Sequence, residues 1–407
     1  MNLNMISDKL RLVKSDIRGE VFLEAVKMEE EGKKVLKLNT GNPAAFGFQT
    51  PESIQSALEK NLCAAAPYCD LRGMKEAREA VFGYHQTKRI QNFRMEDIFL
   101  TNGVSEGVQM VTSACLSFGD EILLPSPNYS LWENCAHLAG AKPVFYECRE
   151  ENSWEPDPDD IQKKITKKTR AILIINPNNP TGAVYSKKLL EKIVSIASEY
   201  GLILFSDEIY DRLVLDGEEC ISTASLAPDL LCVTFNGISK SHIVCGFRSG
   251  WAVLSGPEKL RAPMRDAMVK LASMRLCANA LAQFAIPAAF SDPAYTEEMI
   301  RPGGRLYEQR KVTLNTLEKI DGITFVKNRA AFYLFPRLDK EKFGITDDRR
   351  FALDLLHAKN ILIIPGSGFA NKENDHFRIV MLPEARILKE AMEDLGDFLS
   401  DYRQDLR

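Results

Sequence analysis

The stretch Arg170–Ile175, R-A-I-L-I-I, constrains this chain more than any other. Successive side chains of a strand point to opposite faces, so a nearly continuous apolar run leaves no face for water. It reads as a strand with helices packed above and below it. Further short apolar runs read as strands at Ile98–Thr101, Glu121–Leu124, Pro143–Tyr146, Leu202–Phe205, Leu231–Phe235 and Trp251–Leu254. Helical stretches lie between them, after Asn102-Gly103, near Asn128 and over Ser186–Tyr200. This alternation predicts an α/β fold, with a mainly parallel sheet covered by helices. Ligands of such sheets sit beyond the carboxyl ends of the strands.

At 407 residues the chain suits two domains rather than one core. Residues 1–49 read as an N-terminal arm and part of a small domain. Within them, Val21–Glu31 has helical apolar spacing and stops at Gly32, and Val35–Leu38 is a short strand running into the turn T-G-N-P. Residues 50–290 hold the alternating strands and helices of a large domain. Residues 291–407 change texture: a helix at Tyr307–Ile320, strands at Thr324–Val326, Ala331–Phe335, Ile361–Ile364 and Phe377–Met381, then a helix at Ala385–Tyr402. They read as a smaller α+β domain.

Composition removes several function classes. A net charge of −4, from 52 basic and 56 acidic side chains, offers no basic footprint for nucleic acid. No apolar run approaches the about 20 residues that span a bilayer, and the first residues lack the apolar core of a signal peptide. Nine scattered cysteines, without C-x-x-C pairs, fit reduced thiols in the cytoplasm, and five dispersed histidines argue against a metal site.

Chemistry concentrates at Asn236–Trp251, N-G-I-S-K-S-H-I-V-C-G-F-R-S-G-W. A lysine buried at a strand end is costly unless it is neutralised or covalently joined. Lys240 therefore suggests a Schiff base, with Arg248 gripping an anion such as phosphate. Taken alone, the pair also reads as surface charges on a mobile loop. The strand Arg170–Ile175 ends in N-P-N-N-P-T-G, where Asn178 and Asn179 can aim amides at a ligand or simply shape a turn. The strand Leu202–Phe205 runs into S-D-E-I-Y, setting Asp207 at the sheet end with Tyr210 beyond it. A single Asp there also serves as a helix N-cap.

Together, N-P-N-N-P-T-G, D-E-I-Y and G-I-S-K-x7-R, in this order and spacing, resemble the class I pyridoxal-phosphate aminotransferases of fold type I. The resemblance covers nearly the whole chain and makes residues 50–290 a cofactor-binding domain. It implies that Lys240 holds pyridoxal 5'-phosphate and shuttles a proton. Asp207 would face the pyridine nitrogen, and Asn179 and Tyr210 would hydrogen-bond the ring's phenolic oxygen. Gly103, Val104 and Ser105 of T-N-G-V-S-E would cup the phosphate at a helix N-terminus, closed by Ser239 and Arg248. Tyr129 of S-P-N-Y would stack on the ring, although it also reads as a tyrosine packing its own helix. Tyr68 would reach the phosphate of a neighbouring subunit, which makes the active site that of a homodimer; an interface or core tyrosine is the other reading. Arg378 of D-H-F-R-I-V would clamp the substrate α-carboxylate, helped by Asn179 and the backbone of Gly41.

D-I-R-G (Asp16–Gly19), L-N-T-G-N-P-A-A-F-G-F, Y-C-D-L-R-G, L-A-S-M-R-L-C-A-N and P-G-G-R-L-Y-E-Q-R look like the bacterial glutamate–pyruvate (alanine) subfamily. The implied reaction is L-alanine + 2-oxoglutarate to pyruvate + L-glutamate, by ping-pong half-reactions through pyridoxamine phosphate. Arg18, on the arm, is the candidate for the γ-carboxylate. Ser15 stands where relatives often carry tyrosine, and Gly237 where many carry a hydroxyl residue. Cys245 reads as a buried filler, and His242 and Ile243 as loop residues without a role. An aromatic or branched-chain aminotransferase and a C–S β-lyase share the same motifs. A regulator with an aminotransferase-like sensor would need a DNA-binding module ahead of T-G-N-P, and the arm is too short for one.

Overall fold

The computed structural model describes residues 7–15 and 19–404. Arg18 lies outside the described residues. The strands of the large sheet, numbered along the chain, are β1 Ile98–Asn102, β2 Glu121–Ser126, β3 Lys142–Arg149, β4 Glu155–Pro156, β5 Thr169–Ile175, β6 Ile203–Asp207, β7 Cys232–Gly237 and β8 Ser249–Ser255. Their order across the sheet is β1-β8-β7-β6-β5-β2-β3-β4. The pairs β7–β6, β6–β5, β5–β2 and β2–β3 are parallel. β8 runs antiparallel to both its neighbours, and β4 runs antiparallel to β3.

The continuous apolar runs have a direct structural cause. Ala171, Leu173 and Ile175 of β5 enter one hydrophobic cluster with Val108, Trp132 and Phe205. Ile172 and Ile174 enter another, with Leu190, Ile193 and Ala197 of the helix Lys187–Tyr200. From Ala171 to Ile175 each residue therefore meets a dry layer, whichever way it points. That helix has its own local signals: the Ser186 side chain accepts from the Leu189 N–H, and Gly201 closes the other end in the left-handed conformation.

A separate cluster joins the two ends of the chain. Val21, Ala25 and Met28 lie on one face of the helix Glu20–Glu30 and pack with Phe351, Leu355, Phe377, Leu388 and Leu395. The strand Leu36–Lys37 pairs in parallel with Ile361–Leu362.

Three expected late strands differ. The one expected at Thr324–Val326 is Ile323–Thr324, set by its antiparallel pairing with Arg337–Leu338. Only Tyr333–Leu334 of Ala331–Phe335 is strand, because Ala331 takes φ +59° and turns the backbone out of the extended region. Ile361–Ile364 is divided: Ile361–Leu362 pairs with the N-terminal strand, whereas Ile364–Pro365 pairs antiparallel with Phe377–Arg378. One short stretch thus serves two sheets. No described helix is long and apolar enough to cross a membrane.

The topology also explains where the polar motifs meet. The parallel strands β1, β2, β5, β6 and β7 deliver Gly103, Tyr129, Asn179, Asp207 and Lys240 beyond their carboxyl ends. The reversed strand β8 starts at that same end, directly after Arg248. Asn102 pairs with Ser249, and Gly237 with Gly250, which brings the Arg248 turn against the Gly103 turn.

Candidate active site

Beyond these strand ends lies a cavity of about 450 Å³. Gly41, Val104, Ser105, Tyr129, Asn179, Asp207, Tyr210, Ser239, Lys240, Arg248 and Arg378 all line it. Gly103 borders the Arg248 guanidinium: a Cβ built on Gly103 would overlap Arg248 Nη2. Tyr68 does not line the cavity; it is 78% exposed on the surface.

Lys240 sits on the short helix Ile238–Ser241 that follows β7. Its Nζ donates to the Gly41 carbonyl at 2.9 Å and lies 3.7 Å from Cys245 Sγ. Burial by itself would lower the ammonium pKa, but Tyr333, Cys245 and Tyr129 beside it hold the group above its ordinary value. Cys245, expected as a small buried filler, is less buried than that. It is half-buried in the cavity wall because the turn Cys245–Phe247 faces the lysine.

Asp207 is 4% exposed, yet its carboxyl group reaches the cavity. Trp132 Nε1 donates to its Oδ2 at 3.1 Å, and the Ile209 N–H donates to its Oδ1 at 3.3 Å. Burial pushes its pKa up to about 6, against the pull of those two donors. A cation arriving beside it would favour the carboxylate, so this position suits a protonated ring nitrogen.

Arg378 is 2% exposed, and burial lowers its pKa. Nη1 donates to Asn179 Oδ1 at 2.9 Å and Nη2 to the Asn39 carbonyl, while Nε has no partner among the described residues. The Tyr333 ring lies 4.3 Å beneath the guanidinium. A buried arginine with donor capacity to spare has the chemistry to receive a carboxylate. Because Asn179 gives its oxygen to Arg378, its NH₂ remains to donate elsewhere. Tyr210 is buried, and its hydroxyl is 2.8 Å from that of Tyr333. Burial, then Tyr333, raises the Tyr210 phenol well above its ordinary pKa, and burial raises Tyr129.

The helix Val104–Cys115 opens onto the cavity with Gly103 as its N-cap and no side-chain cap. Its first N–H groups and the dipole favour an anion there, with Arg248 alongside. Glycines make this approach possible. Gly103 takes φ +75°, and a Cβ on Gly250 would meet Val104 N at 2.6 Å. Gly237, the departure noted in the sequence, is similarly constrained, since a Cβ there would meet the Ser249 carbonyl oxygen at 2.7 Å. His242 is buried away from the cavity lining, bonded to Ser241 Oγ and the Ala289 carbonyl, each at 2.9 Å, and burial lowers its pKa to about 3. Ile243 is buried in the cluster around Leu213 and Phe332.

Sequence reasoning missed Trp132, Tyr333, Lys14 and Asn134. No local motif marks them; each is defined by a partner more than 70 residues away.

Comparison with known proteins gives the chain a family. The family model "Aminotransferase class I and II" matches residues 33–395. The chain is 49% identical over 404 residues to the glutamate-pyruvate aminotransferase AlaA of Haemophilus influenzae, covering 99% of this chain and 100% of that protein. The crystal structure of an aminotransferase from Escherichia coli superposes with a TM-score of 0.96 at 48% identity, covering 98% of this chain and 99% of that one. The alanine aminotransferase of Pyrococcus furiosus gives 0.92 at 39% identity, covering 97% and 100%. The chain belongs to the class I and II aminotransferases.

Proposed function

We propose that this protein transfers the amino group of L-alanine to 2-oxoglutarate, giving pyruvate and L-glutamate, with pyridoxal 5'-phosphate bound in the cavity. The observation that carries the reading is the convergence of a lysine, a buried carboxyl group and a buried arginine on one cavity in a chain of this family. The substrates follow from the names of relatives at 45–49% identity over nearly the full length.

The residues fit the cofactor. The glycine-walled helix start and Arg248 suit its phosphate, Asp207 suits a protonated ring nitrogen, and the Asn179 amide and Tyr210 suit an oxyanion. When bound, that group supplies an electron sink for the substrate carbon that loses its proton. Lys240 Nζ would hold the cofactor through its carbonyl carbon; once the substrate amino group has displaced it there, the freed amine would take the proton from the substrate α-carbon and return it at the neighbouring position. Arg378 orients the α-carboxylate through a two-point contact, so that the reacting bond faces the lysine. Tyr129, which lines the cavity after β2, would stack on the ring.

We further propose a homodimer in which Tyr68 enters the cavity of the second copy; its exposure leaves it free to do so. A cytoplasmic location accords with nine cysteines that are all free thiols. An absorbance spectrum of the purified protein tests the main reading. A visible band should disappear on adding L-alanine and return with 2-oxoglutarate. A band indifferent to alanine but bleached by another amino acid would overturn the substrate. No band after incubation with pyridoxal phosphate would overturn the role of Lys240.

A further inference from the structure

The cavity has a wall that belongs to the N-terminal arm. Lys14 and Ser15 both line it, although neither lies near the strand ends in sequence. The arm is held there by the helix Leu131–Ala139. Asn134 Oδ1 accepts from the Lys14 N–H at 2.8 Å, and Asn134 Nδ2 donates to the Lys14 carbonyl at 2.8 Å. A side-chain amide that satisfies both backbone groups of one residue fixes that residue's orientation as well as its position. The Lys14 ammonium meets Glu133 Oε1 at 2.8 Å, and that carboxylate is only 6% exposed. His137 Nε2 lies 3.8 Å from the same oxygen, its pKa lowered by burial. Undocking the arm would leave a nearly buried carboxylate without its lysine, which is unfavourable. Lys9 adds a third tie, donating to the Leu138 carbonyl at 3.1 Å.

The dock shares its helix with a residue that reaches Asp207. The residue before Glu133 is Trp132, which is fully buried, packs on Phe205 and Phe235, and donates to Asp207. Three consecutive side chains of one helix thus reach the cofactor-facing carboxyl group and the arm.

We propose that Asn134 and Glu133 are positioning residues for substrate: they dock Lys14 so that Ser15 and the arm form the outer wall of the substrate cavity. This rests on the transaminase reading above. The dock acts on how well the amino acid and the oxo acid are held, and leaves the lysine chemistry alone. Three variants of the cofactor-loaded enzyme test it: Asn134→Ala, Lys14→Pro, which removes both the N–H and the ammonium that meets Glu133, and the double variant. Losing two neutral hydrogen bonds should raise KM for both substrates about tenfold, with kcat within about threefold. The visible absorption band should be unchanged. Because both substitutions break the Asn134–Lys14 contact, and Lys14→Pro removes the Glu133 ion pair besides, the double variant should fall clearly short of the product of the two single effects. An unshifted KM for Asn134→Ala would overturn the proposal, as would single effects that multiply in the double variant. Wild-type enzyme that turns over no L-alanine would instead sink the transaminase reading, so the two failures are distinguishable.

Discussion

The Trp132 indole donates a hydrogen bond to Asp207 from a residue 75 positions earlier in the chain. It holds the carboxyl group at the end of β6 while Phe205 and Phe235 hold the indole. A hydrogen bond to a charged group contributes about 1.5–3 kcal/mol. Trp132→Phe should therefore weaken cofactor binding about tenfold or more, read by titrating the cofactor-stripped protein with pyridoxal phosphate. Unchanged affinity would show that Asp207 is held well enough by the Ile209 N–H alone.

Arg378 should resist its usual conservative exchange. Its guanidinium reaches Asn179 and the Asn39 carbonyl at once and lies over Tyr333. An ammonium cannot span those partners and also grip a carboxylate at two points. Arg378→Lys should lower kcat/KM for L-alanine and 2-oxoglutarate by about 10–100-fold. Equal turnover by the lysine enzyme would move the carboxylate receptor elsewhere.

The two neighbouring buried acids make the stability of cofactor-stripped protein depend on pH. Burial raises Asp207 from 3.8 to about 6 and Glu208 from 4.5 to about 7. A folded pKa above the unfolded value means that folding favours the protonated acid. That contribution is fully present below about pH 4 and is lost as pH rises through 6 to 7. Asp207→Asn abolishes one of the two titrations. Relative to the parent, its stability should rise by about 2–3 kcal/mol between pH 4 and pH 8, measured by urea unfolding of the stripped proteins. A difference that stays flat across this range would mean that Asp207 titrates normally.

Gly250 should tolerate no side chain. A Cβ there meets the backbone of Val104 and Gly103, which are the start of the helix that faces the cavity. Gly250→Ala should cost about 1–3 kcal/mol of stability, and should weaken pyridoxal phosphate more than it weakens substrate. Thermal unfolding and cofactor titration check the two effects separately.

Much of the fold was legible because its cause is local. Continuous apolar runs can be satisfied only by a sheet dry on both faces, as Ile172 and Leu173 show by entering different clusters. Ligand groups at strand ends follow from that topology, which is why Lys240, Asp207 and Asn179 could be placed together from their motifs. The divided strand at Ile361–Pro365 and the shortened one at Tyr333–Leu334 were not legible. Their pairing depends on Leu36 and Val380, far along the chain, and on the turn at Ala331.

The sequence by itself determined which polar groups the strand ends would collect, since side-chain period and motif order are properties of the chain. Tertiary structure decided how those groups are tuned. The Trp132 bond to Asp207, the Tyr333 ring under Arg378 and the Asn134 hold on Lys14 join segments separated by 75, 45 and 120 residues. Such partners are selected by packing and shared burial, which have no signature in the local pattern of residues.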